Sequence, residues 1–206
     1  MNEQNWLEVA RRIQAIAQNG LTYAEGMYDL ERYQELRQIS VDILSKISDE
    51  PVKKIQDLFA TDEGYQTPKV DIRGVVIEND KILMIKEEQD GKWSLPGGWA
   101  DINYSPAEIA AKEIYEEAGI TVETKRLLAV CDKLKHPHPP DPYHAYKLFF
   151  SCKRIAGNIT TGMETLDVGF FSKDELPELS EGRVTHSQIE LIFSLYYDTN
   201  APTYFD

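Results

Sequence analysis

Cysteine is scarce in this chain of 206 residues: Cys131 and Cys152 are the only two, and neither stands in a spacing that holds a structural metal. A disulfide-stapled scaffold is thereby excluded. Two thiols in strand-like stretches read as buried groups of a reducing compartment, and the cytoplasm is the expected location. Basic residues are also short, 22 Lys and Arg against 35 Asp and Glu, for a net charge of -13. Duplex nucleic acid is gripped through a cationic surface, so a duplex-binding protein is excluded; a small nucleotide is not, because a bound cation and a few lysines neutralise a pyrophosphate locally. No apolar run reaches the roughly 20 residues that cross a bilayer, and no basic region precedes an apolar run at the N-terminus, so neither a membrane partner nor a targeting segment is expected. What is present, 42% hydrophobic residues with 10% aromatic, supports the core of one catalytic domain and a small addition to it.

The addition comes first. Trp6, Val9, Ile13 and Ile16 recur at three and four residues, predicting a helix that Gly20 ends. Thr22-Tyr23-Ala24-Glu25 reads as the capping box of a second helix with Leu36, Ile39, Ile43 and Ile47 on its apolar edge. A third, shorter helix is expected from Pro51, with Val52, Ile55, Leu58 and Phe59 as contacts, and residues 61–68 read as a linker. The boundary is drawn between an all-helical domain, 1–66, and a second domain, 67–206. Three helices make a thin core, so a homodimer is the expected state.

After the linker the period changes to that of strands. Val70 to Glu78, a turn at Asn79-Asp80 and Lys81 to Lys86 predict a hairpin; Thr121 to Leu134, Tyr143 to Arg154 and Leu166 to Phe171 predict further strands. A last helix is expected behind Thr185-His186-Ser187-Gln188, with Ile189, Ile192, Phe193 and Tyr196 facing inward. The pattern permits an α/β fold, a mixed sheet with helices on either side.

The chemistry concentrates between residues 93 and 120. Trp93-Ser94-Leu95-Pro96-Gly97-Gly98-Trp99 predicts a loop whose glycine pair lets backbone groups approach a metal or a phosphate. Ser105-Pro106-Ala107-Glu108 is an N-cap serine, a first-turn proline and a capping-box glutamate, and Gly119 a C-terminal cap, so a helix is predicted over 106–118. Ala107, Ala111, Ile114 and Ala118 form its expected packing stripe. Glu113, Glu116 and Glu117 share the other face, Glu116 about 60° to one side of Glu113 and Glu117 about 40° to the other. Three carboxylates so spaced repel one another; a hard divalent cation turns that repulsion into ligation. The alternative is a solvated acidic face.

This stretch resembles the signature of the Nudix hydrolases: Gly, five residues, Glu, seven residues, Arg-Glu, an aliphatic residue, any residue, Glu-Glu, any residue, Gly, aliphatic. From Gly98 the pattern matches at Glu113, Ile114, Glu116, Glu117, Gly119 and Ile120; Tyr104 replaces the first glutamate and Lys112 the arginine. Lysine keeps a cation without the planar fork that holds a carboxylate bidentately. The resemblance implies an α/β/α sandwich and hydrolysis of a pyrophosphate with Mg²⁺ or Mn²⁺. It also implies Glu113, Glu116 and Glu117 as side-chain ligands and the Gly97 carbonyl as a further one. Glu164, on the loop before a late strand, is the candidate general base, with Glu113 as its rival.

For the substrate, Arg73 and Lys86 are candidates to pair with phosphate, Trp93, Trp99 or Tyr146 to stack on a base or a quaternary ammonium, and His136, in the stiff segment from His136 to Pro142, to contact the head group. The whole chain resembles a bacterial subgroup with a short helical N-terminal domain, within which CDP-choline, split to CMP and phosphocholine, is the expected substrate. ADP-ribose, trimming of single-stranded RNA ends and a non-catalytic nucleotide sensor are the alternatives.

Overall fold

Two helices of 21 residues each, α1 (Glu3–Tyr23) and α2 (Met27–Ile47), form the first part of the N-terminal unit. The computed structural model describes residues 3–47 and 63–206, and contacts divide the chain into units at Pro68. The expected third helix, Pro51 to Phe59, lies outside the described residues. Gly20 does not end α1, which continues to Tyr23, with the Thr22 hydroxyl donating to the Gln18 carbonyl within the helix. A lone glycine inside a helix weakens it without breaking it. Gly20 serves contact instead: a Cβ there would overlap the ring of Tyr33 on α2. The buried face of α1 is also rotated from the expected one. Leu7, Ala10, Gln14 and Ala17 face inward with Ser40, Val41 and Leu44, while Trp6 and Ile16 are 38% and 44% exposed. Small residues at 10, 17 and 20 allow the two helices to approach where the larger Trp6 and Ile16 would not fit.

The second unit carries nine strands and two helices among the described residues. β1 (Lys69–Val75) and β2 (Ile77–Glu78) replace the single expected strand. The chain changes sheets at Val76. β1 joins a mixed sheet with β5 (Gly97–Trp99), β7 (Ala145–Ala156), β6 (Thr121–Asp132) and β9 (Tyr204–Phe205), in the order β5-β1-β7-β6-β9. β1 runs parallel to β7 and antiparallel to β5. β2 turns through Asn79 and Asp80, both at positive φ, into β3 (Lys81–Glu87), which also pairs with β4 (Trp93–Ser94) and β8 (Thr165–Ser172) in a second sheet.

Helix α3 (Pro106–Ala118) covers one side of these sheets and α4 (His186–Tyr197) the other, giving the α/β/α sandwich. Both begin with the capping boxes expected, Ser105 with Glu108 and Thr185 with Gln188, and Gly119 closes α3 in the left-handed conformation. The stripe α3 buries is Ile109, Ala110, Ile114 and Ala118 against Ile72, Leu83 and Ile85. Ile109 sets this rotation: a branched aliphatic removes more surface from water than Ala107, which stays at the margin. On the far side Ile189, Ile192 and Phe193 of α4 pack with Val75, Met84, Leu95 and Phe149. No helix of the described residues is long and apolar enough to cross a membrane.

Candidate active site

The edge strand β5 positions the site. The residues expected as a loop form two short strands, and β5 pairs antiparallel with β1 so that Gly97 lies opposite Arg73 and Gly98 opposite Ile72. Gly97 has φ of 144°, and a Cβ there would run into the backbone of Ile72 and Arg73. Only glycine permits this approach. Its amide N–H is thereby turned toward α3, where it donates to Glu117 Oε2 at 2.8 Å. Glu113 approaches Gly98, whose imagined Cβ would lie 3.3 Å from Oε2. Glu116, the third member, has a side chain 53% exposed and meets Lys112 Nζ at 3.0 Å. Lys112 reaches Glu113 at 3.5 Å and Asp101 at 3.3 Å as well. One ammonium is thus shared among three carboxylates.

A second cation stands behind the glycine pair. Arg73 was expected to meet phosphate from a hairpin; the structure buries it, with Nε on Asp71 Oδ1 at 2.8 Å and Nη1 on the Leu95 carbonyl at 2.9 Å. A guanidinium so committed has no free fork for a ligand. Its charge instead acts on Glu117 and Glu87. Lys147, fully buried on β7, holds the other oxygen of Asp71. Burial raises the Asp71 pKa, but the two cations outweigh it and keep the carboxyl ionised below its usual range.

The other candidates separate. Trp93 packs edge-to-face on Phe171 with centroids 4.7 Å apart and joins the α4-side core, so it is a packed aromatic and not an open stacking surface. Lys86 is half-buried on β3 opposite Trp93. Trp99, 50% exposed, leans on Tyr143 at 6.2 Å, and Tyr146, 40% exposed, on His144 at 5.3 Å. His136 turns to Asp206, Nε2 to Oδ2 3.2 Å, with its side chain 13% exposed. Glu164 is exposed on the segment before β8. That segment rides on the end of α3: the Thr160 and Gly162 amides donate to the carbonyls of Ala118 and Glu117 at 3.0 and 3.3 Å. Sequence reading missed Glu87, Asp101 and the bracing role of Arg73, since nothing local marks them.

Residues 68–191 match the family model described as NUDIX domain, and residues 4–59 the one described as "UDP-X-like, N-terminal oligomerisation domain". The chain belongs to the Nudix hydrolases. It is 46% identical over 204 residues to the Bacillus subtilis (strain 168) protein named "Putative ADP-ribose pyrophosphatase YjhB", covering 99% of this chain and 98% of that one. A solved UDP-X diphosphatase superposes at a TM-score of 0.64 with 33% identity over the whole of both chains. An ADP-ribose pyrophosphatase of Streptococcus suis 89-1591 gives 0.62 and 40% over 68% of this chain and all of that one. The Nudix chain is an enzyme, a pyrophosphatase, which sets aside a sensor without catalysis.

Nudix hydrolases use divalent metal ions such as Mg²⁺ or Mn²⁺, and the residues here fit one. Burial pushes the Glu117 pKa up to about 8, and Glu87 and Glu113 add to the rise against the Gly97 amide and Arg73. Glu113 is raised too, first by burial and then by Glu116 against Lys112. Carboxylates that are hard to ionise alone, on one turn, beside a backbone with no side chain, form a site that a cation would complete.

Proposed function

We propose that the protein hydrolyses the pyrophosphate of a nucleoside diphosphate linked to a second group, using Mg²⁺ or Mn²⁺ held by Glu113, Glu116 and Glu117 together with the backbone of Gly97. The observation that carries this reading is the convergence of two of those carboxylates on Gly97 and Gly98. The metal, when bound, would supply charge neutralisation and lower the pKa of the attacking water. The remaining work falls to the chain: water adds to one phosphorus, the bridging P–O bond breaks, and a carboxylate takes the proton. Glu164 is the preferred base, supported by the way residues 160–162 hold its segment against α3; Glu113 is the alternative.

ADP-ribose is supported by the Bacillus relative that matches nearly the whole chain. CDP-choline is the second reading, and Trp99 favours it: an open indole directly after the glycine pair, with Tyr143 beside it, offers a face to a quaternary ammonium. The full chain incubated with each nucleotide and with a UDP-sugar, in Mg²⁺ or Mn²⁺ with EDTA as control, and its products separated by chromatography, tests both. Metal-dependent release of a nucleoside monophosphate is expected; no turnover of any of them overturns the proposal.

The division of labour follows the domain boundary, with chemistry in 67–206 and assembly in 1–66. Trp6, Ile16 and Ile39, the last 41% exposed, are large apolar side chains that the helical unit leaves uncovered, and a second copy would bury them. Light scattering should return a homodimer, and Trp6→Glu with Ile16→Glu a monomer; a monomeric parent at micromolar concentration refutes this. Cys131 and Cys152 are free and buried, in keeping with the cytoplasm.

A further inference from the structure

Three side chains of different chemistry meet away from the glutamates. Cys131 Sγ on β6, His136 Nε2 just beyond the 3-10 turn Lys133–Lys135, and an Asp206 carboxylate oxygen just beyond β9 all lie within 4.8 Å of one another. The His136 to Asp206 separation, 3.2 Å, is close to the edge of a tetrahedron around zinc, about 3.3 Å for nitrogen and oxygen each about 2.0 Å from the ion. The carboxylate is already oriented: Asp206 Oδ1 accepts from the Tyr204 hydroxyl at 3.0 Å and Oδ2 from the Asp132 amide at 2.5 Å. Such outer contacts are what fixes a metal ligand in direction. Cys131 is fully buried, and the side chains of His136 and Asp206 are 13% and 15% exposed, so the three ligand atoms are largely shielded from water.

We propose that Cys131, His136 and Asp206 form a second metal site, for a borderline-soft divalent cation such as Zn²⁺, with water at the fourth position. Sulfur, imidazole and carboxylate together suit zinc and disfavour Mg²⁺, whereas the all-oxygen set at Glu113, Glu116 and Glu117 has the opposite preference. On binding, the thiol would give its proton to solvent and the imidazole would present an unprotonated ring nitrogen to the ion. One cation would then tie β6, the segment running into residues 136–142, and the strand pair β6/β9 to a single point. Its effect falls on the ordering of that segment.

The test uses the full chain, stripped with chelator and titrated with Co²⁺ under saturating Mg²⁺, which occupies the oxygen site. One equivalent should give visible bands of tetrahedral cobalt and a near-ultraviolet thiolate-to-cobalt charge-transfer band, both displaced by one equivalent of Zn²⁺. Cys152 is the only other sulfur ligand of this strength, and Cys152→Ala should keep the band. Cys131→Ser should abolish it, and Asp206→Asn and His136→Ala should each weaken binding about tenfold or more. Circular dichroism reports whether the variants remain folded; Asp206→Asn and His136→Ala alter partly exposed side chains, so the test does not hang on the buried cysteine. A folded parent chain that shows no thiolate band, or binds zinc no more tightly than Asp206→Asn and His136→Ala, overturns the proposal.

Discussion

Glu117→Gln should make the metal-free protein more stable while destroying its activity. The Glu117 carboxyl ionises at an ordinary 4.5 in the unfolded chain and at about 8 in the fold, where burial opposes its charge. The folded state therefore holds the proton more tightly. Stability from this group is fully present below pH 4.5 and is lost as pH rises toward 8. At pH 7 the loss spans most of the 2.5 units from the unfolded value, at about 1.4 kcal/mol per unit, so it amounts to about 3 kcal/mol. Glutamine keeps an oxygen for the Gly97 amide and carries no charge. Urea denaturation in EDTA at pH 7 should show the variant about 2–3 kcal/mol more stable than the parent, the gap closing as pH falls below 5. Added Mg²⁺ should stabilise the parent and leave the variant almost unmoved. If the variant is less stable in EDTA, or the gap does not change with pH, then burial does not strain this carboxylate and the reasoning fails.

Glu164→Gln should lower kcat about 10² to 10⁴-fold with little change in KM, the range for loss of a general base; steady-state kinetics returning kcat within a few-fold moves the role to Glu113. Gly20→Ala, a change worth about 1 kcal/mol of added stability in an ordinary helix, should instead destabilise by about 1–2 kcal/mol because the methyl enters the Tyr33 ring. Thermal melts of Gly20→Ala alone and with Tyr33→Ala check it, the double variant recovering part of the loss. Asp71→Ala leaves Arg73 and Lys147 buried without their shared carboxylate and should cost about 3–5 kcal/mol, whereas Lys147→Met, which leaves Asp71 paired with Arg73, should cost clearly less. Equal costs in denaturant titrations would show that the two cations do not depend on that one acid.

Features set by neighbours in sequence were legible. Ser105 with Glu108, Thr185 with Gln188, Gly119 after α3 and the Asn79-Asp80 turn all act within four residues, and each is where local chemistry placed it. The helix that carries Glu113, Glu116 and Glu117 was legible for the same reason, but that Glu113 and Glu117 turn to the glycine pair while Glu116 meets Lys112 was not. Errors arose where orientation depends on a distant partner. A single strand over 70–78 looked sufficient because alternation does not reveal that Val76 passes the chain from one sheet to another. The stripe of α1 was misplaced by about one position because its packing is set by Tyr33, Ser40 and Val41, not by its own largest residues.

Charge shows the same division most sharply. Arg73 read from its surroundings as a surface cation on a hairpin, yet β1 is an inner strand, and the partner that makes burial of a guanidinium tolerable, Asp71, is itself held by Lys147, which is 76 positions away. A charge can lie in a core only when the opposing group arrives with it, so its placement is a property of strand order and not of any window of sequence. His136 follows the same logic. Nothing in the segment from His136 to Pro142 marks that histidine as one member of a ligand set; β9 brings Asp206, 70 positions away, to 3.2 Å, and β6 brings Cys131 close to both. The parallel pairing of β6 with β9 at Ala129 and Val130 is thus the step that decides whether these residues are three ordinary side chains or one ligand set.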